Sequence, residues 1–205
     1  MQTPKDPIII RADVHIAGIA PPICRTLELP LDLNFAQLHE VIQAAFGWSD
    51  THLHQFNLGG LTIGAPEYLE DGFGGPRVVE ATSLGLGHLT FPRGHEATLT
   101  LLYDYDFGDD WQHVLTLRRA PREAGVRYPR CTGGTRACPP EDVGGVSGFE
   151  EFLVAWSDPA HEDHKQIRRW AGRGYDPERF DLAKANKAIN KAMLASGGEY
   201  RARQL

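Results

Sequence analysis

At 205 residues, 41% hydrophobic and 23% charged, the chain is long enough to bury a core without disulfide or metal staples, and it fits one domain. A net charge of -6 and a pI near 5.8 argue against a protein built to coat nucleic acid, because phosphate binding needs a basic surface. Three cysteines fit a reducing compartment, MQTPKDP lacks a signal's apolar segment, and no apolar run reaches the ~18 residues of a membrane span, which together point to the cytoplasm and no membrane partner.

Residues 8–18 alternate, with Ile8, Ile10, Ala12, Val14 and Ile16 on one face and Arg11, Asp13 and His15 on the other. Period two predicts a half-buried strand. Ala20-Pro21-Pro22 breaks it. A hairpin partner follows, in which Ile23, Arg25, Leu27 and Leu29 alternate with Cys24, Thr26 and Glu28. The period then changes. Phe35, Leu38, Val41, Ile42, Ala45 and Phe46 make one helical stripe over 34–46. Asn34 and Gln37 have capping-box spacing, and Gly47 supplies the stop. His52 to Leu58 reads as a short strand. Residues 59–96, with GFGGP at 72–76, form a long irregular excursion holding one short strand.

Residues 97–105 predict a strand with Leu99, Leu101, Tyr103 and Tyr105 on one side. Asp106 to Asp110 turn the chain, and Trp111, His113, Leu115 and Leu117 share the apolar side of the next strand. The charge-rich stretch 118–127 leads away from the sheet. YPRCTGGTRACPPEDVGG is a loop punctuated by Gly and Pro. Three helical pieces follow. Ser147 and Glu150 mark the start of the first, with Phe149, Phe152, Leu153 and Trp156 inward. Asp158-Pro159 opens the second, anchored by Ile167 and Trp170. Asp181 caps the third, with Leu182, Ala185, Ile189 and Met193 inward, and the tail GGEYRARQL frays. The expected class is α+β: a mainly antiparallel sheet with one packed helix over about 7–120, then a helical subdomain within about 128–195, all in one domain.

The densest chemistry lies in YDYDFGDDWQH, from Tyr103 to His113. Asp104 and Asp106 alternate onto the polar face. Asp109 and Asp110 sit at the turn, where aspartate commonly bonds nearby backbone, and a hairpin with Asx bonds is the bland reading. The sharper reading is a carboxylate cluster that holds a cation or orients His113, since carboxylates this close repel unless something positive sits among them. Trp111 and His113 lie on the leucine side, where a histidine is more often a satisfied core residue than a ligand.

His52 and His54 form an H-x-H pair. On a strand both imidazoles face one way, about 7 Å apart. That spacing suits one divalent metal such as zinc, with Asp109, Asp110 or His113 completing the ligand set if the two strands are neighbours. Phe56 and Leu58 share the face, so a core rim fits equally. HEDH at 161–164 puts two histidines on one helical face but misses the H-E-x-x-H spacing, and reads as a solvated helix N-terminus. Cys131 and Cys138 are not a C-x-x-C pair; metal ligands, redox partners and small loop residues all stay open. Lys165, Arg168, Arg169 and Arg173 make a local basic patch that balances its own helix dipole. There is no P-loop, no Rossmann glycine fingerprint and no nucleophile elbow.

Six stretches in order carry a family resemblance: ADVHIAGIAPPICRTLELP, FAQLHEVIQAAFGWSDTHLHQF, YDYDFGDDWQHVLTL, YPRCTGGTRACPPEDVGG, GFEEFLVAWSDPAHEDH and FDLAKANKAI. They resemble the plasmid pRiA4b ORF-3-like proteins over nearly the whole chain, and the D-F-G-D-x-W-x-H and C-P-P-E-D blocks are the specific ones. The resemblance implies an α+β sheet with helices and no assigned activity. Some members are described as insertion-element passenger proteins of TnpR type. No serine-recombinase pattern and no helix-turn-helix is visible here, so that description reads as genomic neighbourhood. Many relatives continue as C-P-P-E-D-C, whereas this chain has Val143, which weakens a cysteine-zinc site and leaves the histidines and aspartates untouched.

Two readings of function follow. One is an accessory or interaction module, binding a partner segment or small ligand in a groove beside the turn. Trp48, Asp106, Asp109, Asp110 and Trp111 are its binding candidates, with His52 and His54 as walls. The other is a metal-dependent hydrolase, with His52, His54 and His113 as ligands and Asp109 or Asp110 as general base. A nucleic-acid accessory role through residues 165–173 is a third class, disfavoured by the charge balance. The first two need the HLHQF segment and the aspartate-rich bend to lie side by side.

Overall fold

The computed structural model describes residues 8–69, 78–92 and 97–195. MQTPKDP, the GFGGP run and the tail from residue 196 lie outside the described residues. Period-two alternation builds β1 (Ile8–Ile16) and β2 (Cys24–Pro30), which pair antiparallel as a hairpin with Val14 opposite Arg25. The sheet continues with β3 (His54–Leu58), β4 (Leu61–Gly64), β5 (Val78–Glu80), β6 (Leu99–Tyr105), β7 (Trp111–Pro121) and β8 (Arg130–Thr135). Its spatial order is β5-β4-β3-β6-β7-β1-β2-β8. The neighbours pair antiparallel except β4 and β5, which run parallel. The α+β expectation therefore holds, with a mostly antiparallel sheet.

The helical stripe folds as α1 (Phe35–Phe46). Asn34 and Gln37 form the expected capping box, Asn34 Oδ1 accepting from Gln37 N at 2.8 Å and Gln37 Oε1 from Asn34 N at 3.1 Å. Gly47 ends the helix at φ 94°, a left-handed conformation that glycine adopts without a Cβ penalty. The helix packs on the sheet through Phe35 against Phe56 and Phe46 against His113. Its buried side also carries two polar residues, His39 and Gln43. They meet the hydroxyl of Tyr103, which the register of β6 points inward.

Arg25 stands at a core position of β2, and the structure explains it. Its guanidinium lies over the Phe46 and Phe180 rings, 4.9 and 4.1 Å from their centroids. Nε donates to the Ala45 carbonyl at the end of α1, and Nη1 donates to the carbonyls of Cys24 and Thr135. Aromatic faces and the negative end of a helix replace the missing carboxylate partner.

Strand β7 stays paired with β1 as far as Pro121, although the charge-rich stretch 118–127 is expected to leave the sheet. The structure also departs from the sequence expectations after β3, at β8 and at the helix starts. The excursion after residue 58 holds two strands, β4 and β5, and two short helical turns, α2 (Pro66–Leu69) and a 3-10 turn at Leu86–His88. Strand β8 lies inside the expected loop. RCTGGT has no apolar alternation because the strand is at the sheet edge, and Gly134 is required there: a Cβ would lie 2.7 Å from the Cys24 carbonyl oxygen. Asn186 covers that edge from α5 (Leu182–Ala195), its side chain bonding both the N–H and the C=O of Cys131.

The last departure concerns the helix starts. The first C-terminal helix, α3 (Gly145–Ser157), has Gly144 as N-cap, so Ser147 and Glu150 fall within it. The next, α4 (His164–Trp170), begins after a run of turns rather than at Asp158-Pro159. His161 therefore lies outside the helix that His164 opens. Asp181 does cap α5, its Oδ1 accepting from Lys184 N at 2.9 Å. No helix among the described residues is long and apolar enough to cross a membrane.

Removing the α1 cap tests this account of the helix start. Asn34→Ala is expected to lower stability by about 1 kcal/mol in urea unfolding, with an unchanged denaturant slope.

Candidate functional site

The β6–β7 hairpin ends in a turn built by aspartate. Asp106 adopts φ 57° and Asp110 φ 53°, left-handed conformations that aspartate tolerates. Asp106 Oδ1 accepts from the backbone N–H of Gly108 at 3.0 Å and of Asp109 at 3.3 Å. Asp109 turns away and accepts from Gly144 N at 3.0 Å, docking the start of α3 on the turn. Gly145 beside it has φ 68°, and a Cβ there would stand 2.5 Å from the Asp109 carbonyl oxygen. Asp110 is exposed and accepts from Gln112 at 3.4 Å. Two of the three turn carboxylates thus hold the local structure. Asp106 alone has an oxygen turned toward a histidine.

That histidine is His52, just ahead of β3. Strand β3 pairs with β6, placing His54 opposite Tyr105, so the HLHQF segment and the bend are neighbours. His52 Nε2 lies 3.1 Å from Asp142 Oδ1, 3.5 Å from Asp106 Oδ2 and 3.9 Å from Glu141 Oε2. The Nε2 atom is buried yet makes no hydrogen bond. One donor atom each from His52, Asp106 and Asp142 lie within 4.8 Å of one another, a spacing that one divalent ion spans.

Glu141 is fixed in place from two sides. Ser49 donates to its Oε1 through N at 2.7 Å and Oγ at 3.1 Å, and the Tyr105 hydroxyl lies 3.3 Å from both carboxylate oxygens. Burial pushes the Tyr105 phenol pKa well up, so it stays a donor. Trp48 ties the C-P-P-E-D loop down by donating from Nε1 to Pro139 O at 3.1 Å. Trp48 and Trp111 are themselves buried, with ring centroids 5.9 Å apart. Trp48 also lines a cavity of about 580 Å³ with Pro139, Pro140 and Glu141, and Trp111 does not line it.

The three histidines expected as one ligand set occupy three environments. His54 is stacked on His39, centroids 3.5 Å apart and rings 6° from parallel. His39 bridges the Tyr103 hydroxyl and Asp50, each at 2.8 Å. Although His39, His54 and Asp50 lie close enough to share an ion, stacked rings send their in-plane lone pairs along parallel planes that do not converge. His113 is fully buried against Phe46, Trp48 and Tyr103. Its Nδ1 lies 3.2 Å from the carbonyls of Tyr103 and Trp111, so Nδ1 carries the proton. His113 Nε2 is buried without a partner.

The thiols of Cys131 in β8 and of Cys138 after it are free and buried, and desolvation raises their pKa values, so they stay protonated. Among the described residues no candidate cation cluster includes a cysteine. Of the basic patch, Arg168 is occupied over the Trp156 ring, 3.9 Å from its centroid.

Sequence reasoning singled out His52 and Asp106 but did not assign Glu141 and Asp142 to the site. Their signal was the C-P-P-E-D block, whose carboxylates follow the cysteine and prolines that drew attention. The His39–Asp50 pair was hidden because His39 lies between the apolar positions of the α1 stripe.

Burial sets a pH dependence. Desolvation lowers the His54 pKa well below 6.5 and that of His113 to about 4. An unfolded histidine takes its proton near 6.5, so between that pH and about 4 the unfolded chain binds more protons than the folded one. The stability they contribute is intact above about pH 6.5 and is lost as pH falls through this window. From His113 alone the loss between about pH 7 and about pH 4.5 is on the order of 2–3 kcal/mol. Urea unfolding at both pH values should show it, and His113→Phe should flatten the slope whatever its effect on absolute stability.

Residues 9–184 match the family described as plasmid pRiA4b ORF-3-like protein. The chain is 34% identical over 183 residues to the uncharacterized protein y4hQ of Sinorhizobium fredii (strain NBRC 101917 / NGR234), covering 89% of this chain and 91% of that one. It is also similar to a crystal structure of a protein of unknown function, MM3350 from Methanosarcina mazei Go1. That match has a TM-score of 0.75 and 36% identity, covering 88% of this chain and 97% of that one. With the family's pattern matched from the first strand into the last helix, the chain belongs to the plasmid pRiA4b ORF-3-like family.

Proposed function

We propose that the protein is a divalent-cation-binding module centred on His52, Asp106 and Asp142, with Glu141 beside them, and that it holds a partner or small ligand through the cation's remaining positions. The observation that carries this reading is the imidazole nitrogen of His52, which is buried, makes no hydrogen bond and faces three carboxylates within 3.9 Å. A divalent cation set among them would take the imidazole lone pair and the carboxylate oxygens as ligands together. One nitrogen and two or three carboxylate oxygens suit zinc or manganese better than calcium.

Hydrolysis on the same centre is the second reading. Three protein ligands leave a position for water, and a general base is then needed beside it. Glu141 meets that need, being oriented by Ser49 and Tyr105 next to His52. Asp109 and Asp110 do not, since Asp109 is bonded to Gly144 and the exposed Asp110 lies outside the cluster.

Titration calorimetry on untagged, EDTA-dialysed protein tests the centre. Zinc or manganese is expected to bind at one site per chain and to raise the melting temperature. His52→Ala and Asp142→Asn should each weaken binding at least about tenfold while circular dichroism stays unchanged. Asp110→Asn should bind like the parent. A parent protein that takes up neither ion, or a His52→Ala variant that binds as well as the parent, refutes the proposal.

A further inference from the structure

A groove of about 880 Å³ opens between α3 and α4. Its floor is apolar: Phe152 and Ile167 line it, and Trp170 stands edge-on to Phe152, centroids 6.0 Å apart. Trp170 is 49% exposed and Val154 is 58% exposed, although both line the groove. Large apolar side chains left open in one concave place mark a binding surface more than scattered exposure does. The volume is that of a ligand or peptide site rather than a surface dimple.

The rim decides what fits. Asp142, Glu151, Glu162 and Asp163 carry four carboxylates around the floor, against the one guanidinium of Arg169. All four acids are exposed. Such a rim repels the phosphates of nucleic acid and of an anionic membrane. It also disfavours a second copy of this chain, because a two-fold contact through this face would set the acidic rim against itself.

We infer that the α3–α4 groove is a docking site for a basic amphipathic segment of a protein partner, one with apolar residues along one face and lysine or arginine along the other. The apolar face seats on Phe152, Ile167 and Trp170, in the manner of a helix laid in a groove. The basic side chains reach the rim acids, which raises the rate of encounter and selects against acidic competitors. This goes beyond the cation centre and does not depend on it. Asp142 belongs to both, but the floor and the other rim acids lie outside the cluster.

Fluorescence anisotropy on the full chain tests the inference. The probes are a fluorescein-labelled amphipathic peptide of leucine and lysine, and its counterpart with glutamate replacing lysine. The lysine peptide is expected to bind at low salt and to weaken as salt rises, and the glutamate peptide is not expected to bind. Trp170→Ala should weaken the lysine peptide about tenfold or more, as removal of a central aromatic anchor does. The double variant Glu151→Lys, Glu162→Lys should do the same. It changes only exposed positions and carries the test if Trp170→Ala fails to fold by circular dichroism.

No binding of the lysine peptide, equal binding of both peptides, or parent-like affinity in the double variant overturns the inference. So does a dimer in sedimentation that Trp170→Ala dissociates, or binding to phosphatidylglycerol vesicles that the double variant does not abolish. Zinc calorimetry on the double variant separates this site from the cation centre. Retained zinc binding with lost peptide binding supports the groove, and retained peptide binding with lost zinc binding overturns the rim's part in it.

Discussion

The N–H of Asp106 donates to the carbonyl of Leu53 at 2.9 Å, and the site depends on that bond. It continues the β3–β6 ladder past its last paired residues, His54 and Tyr105. On one side of it the chain enters β3, and His52 stands just before. On the other side Asp106 leaves β6 in a left-handed conformation and starts the turn. The bond thus sets His52 beside Asp106 before any side chain chooses a partner. The C-P-P-E-D loop then arrives over both, held by Trp48 at Pro139 and by Ser49 and Tyr105 at Glu141.

Beneath this surface the sheet and α1 share a polar seam unusual for a core. Tyr103, His39, Gln43 and Asp50 bond one another in a closed set, with Gln43 also accepting from the Asp50 backbone at 3.0 Å. Each buried polar atom left unpaired would cost about 1–3 kcal/mol, so the set demands one placement of α1 over β6. That placement in turn puts Phe46 over His113 and Trp48 against Tyr105 and Trp111. Trp111 and His113 of the DFGDDWQH block are packed in this core, whereas Phe107 stands exposed at the turn.

Much of this architecture was legible from local pattern. Alternation located β1, β2, β6 and β7, and the Asn34–Gln37 spacing located the start of α1, because in each case the signal lies within a few residues of the feature. The H-x-H pair shows where such reasoning stops. It assumes that the strand covers both histidines, whereas β3 begins at His54 and leaves His52 in the preceding irregular chain. The two rings then go to different neighbours. Strand β8 was hidden for a different reason: an edge strand containing two glycines has no face to alternate. Asp142 was hidden because its partner is 90 residues away in sequence, and they become neighbours through contacts such as Trp48–Pro139, Ser49–Glu141 and Asp109–Gly144.

Asp142 is half of two descriptions at once, a donor to the His52 cluster and part of the acidic rim of the α3–α4 groove. Occupancy of either place must alter the field and the freedom of that one carboxylate. Thermodynamic linkage then makes the influence mutual: whatever factor a filled cluster applies to affinity in the groove, a filled groove applies to affinity in the cluster. A cation held on that carboxylate would leave less negative charge for a basic segment, so the two proposed occupants would oppose one another through Asp142.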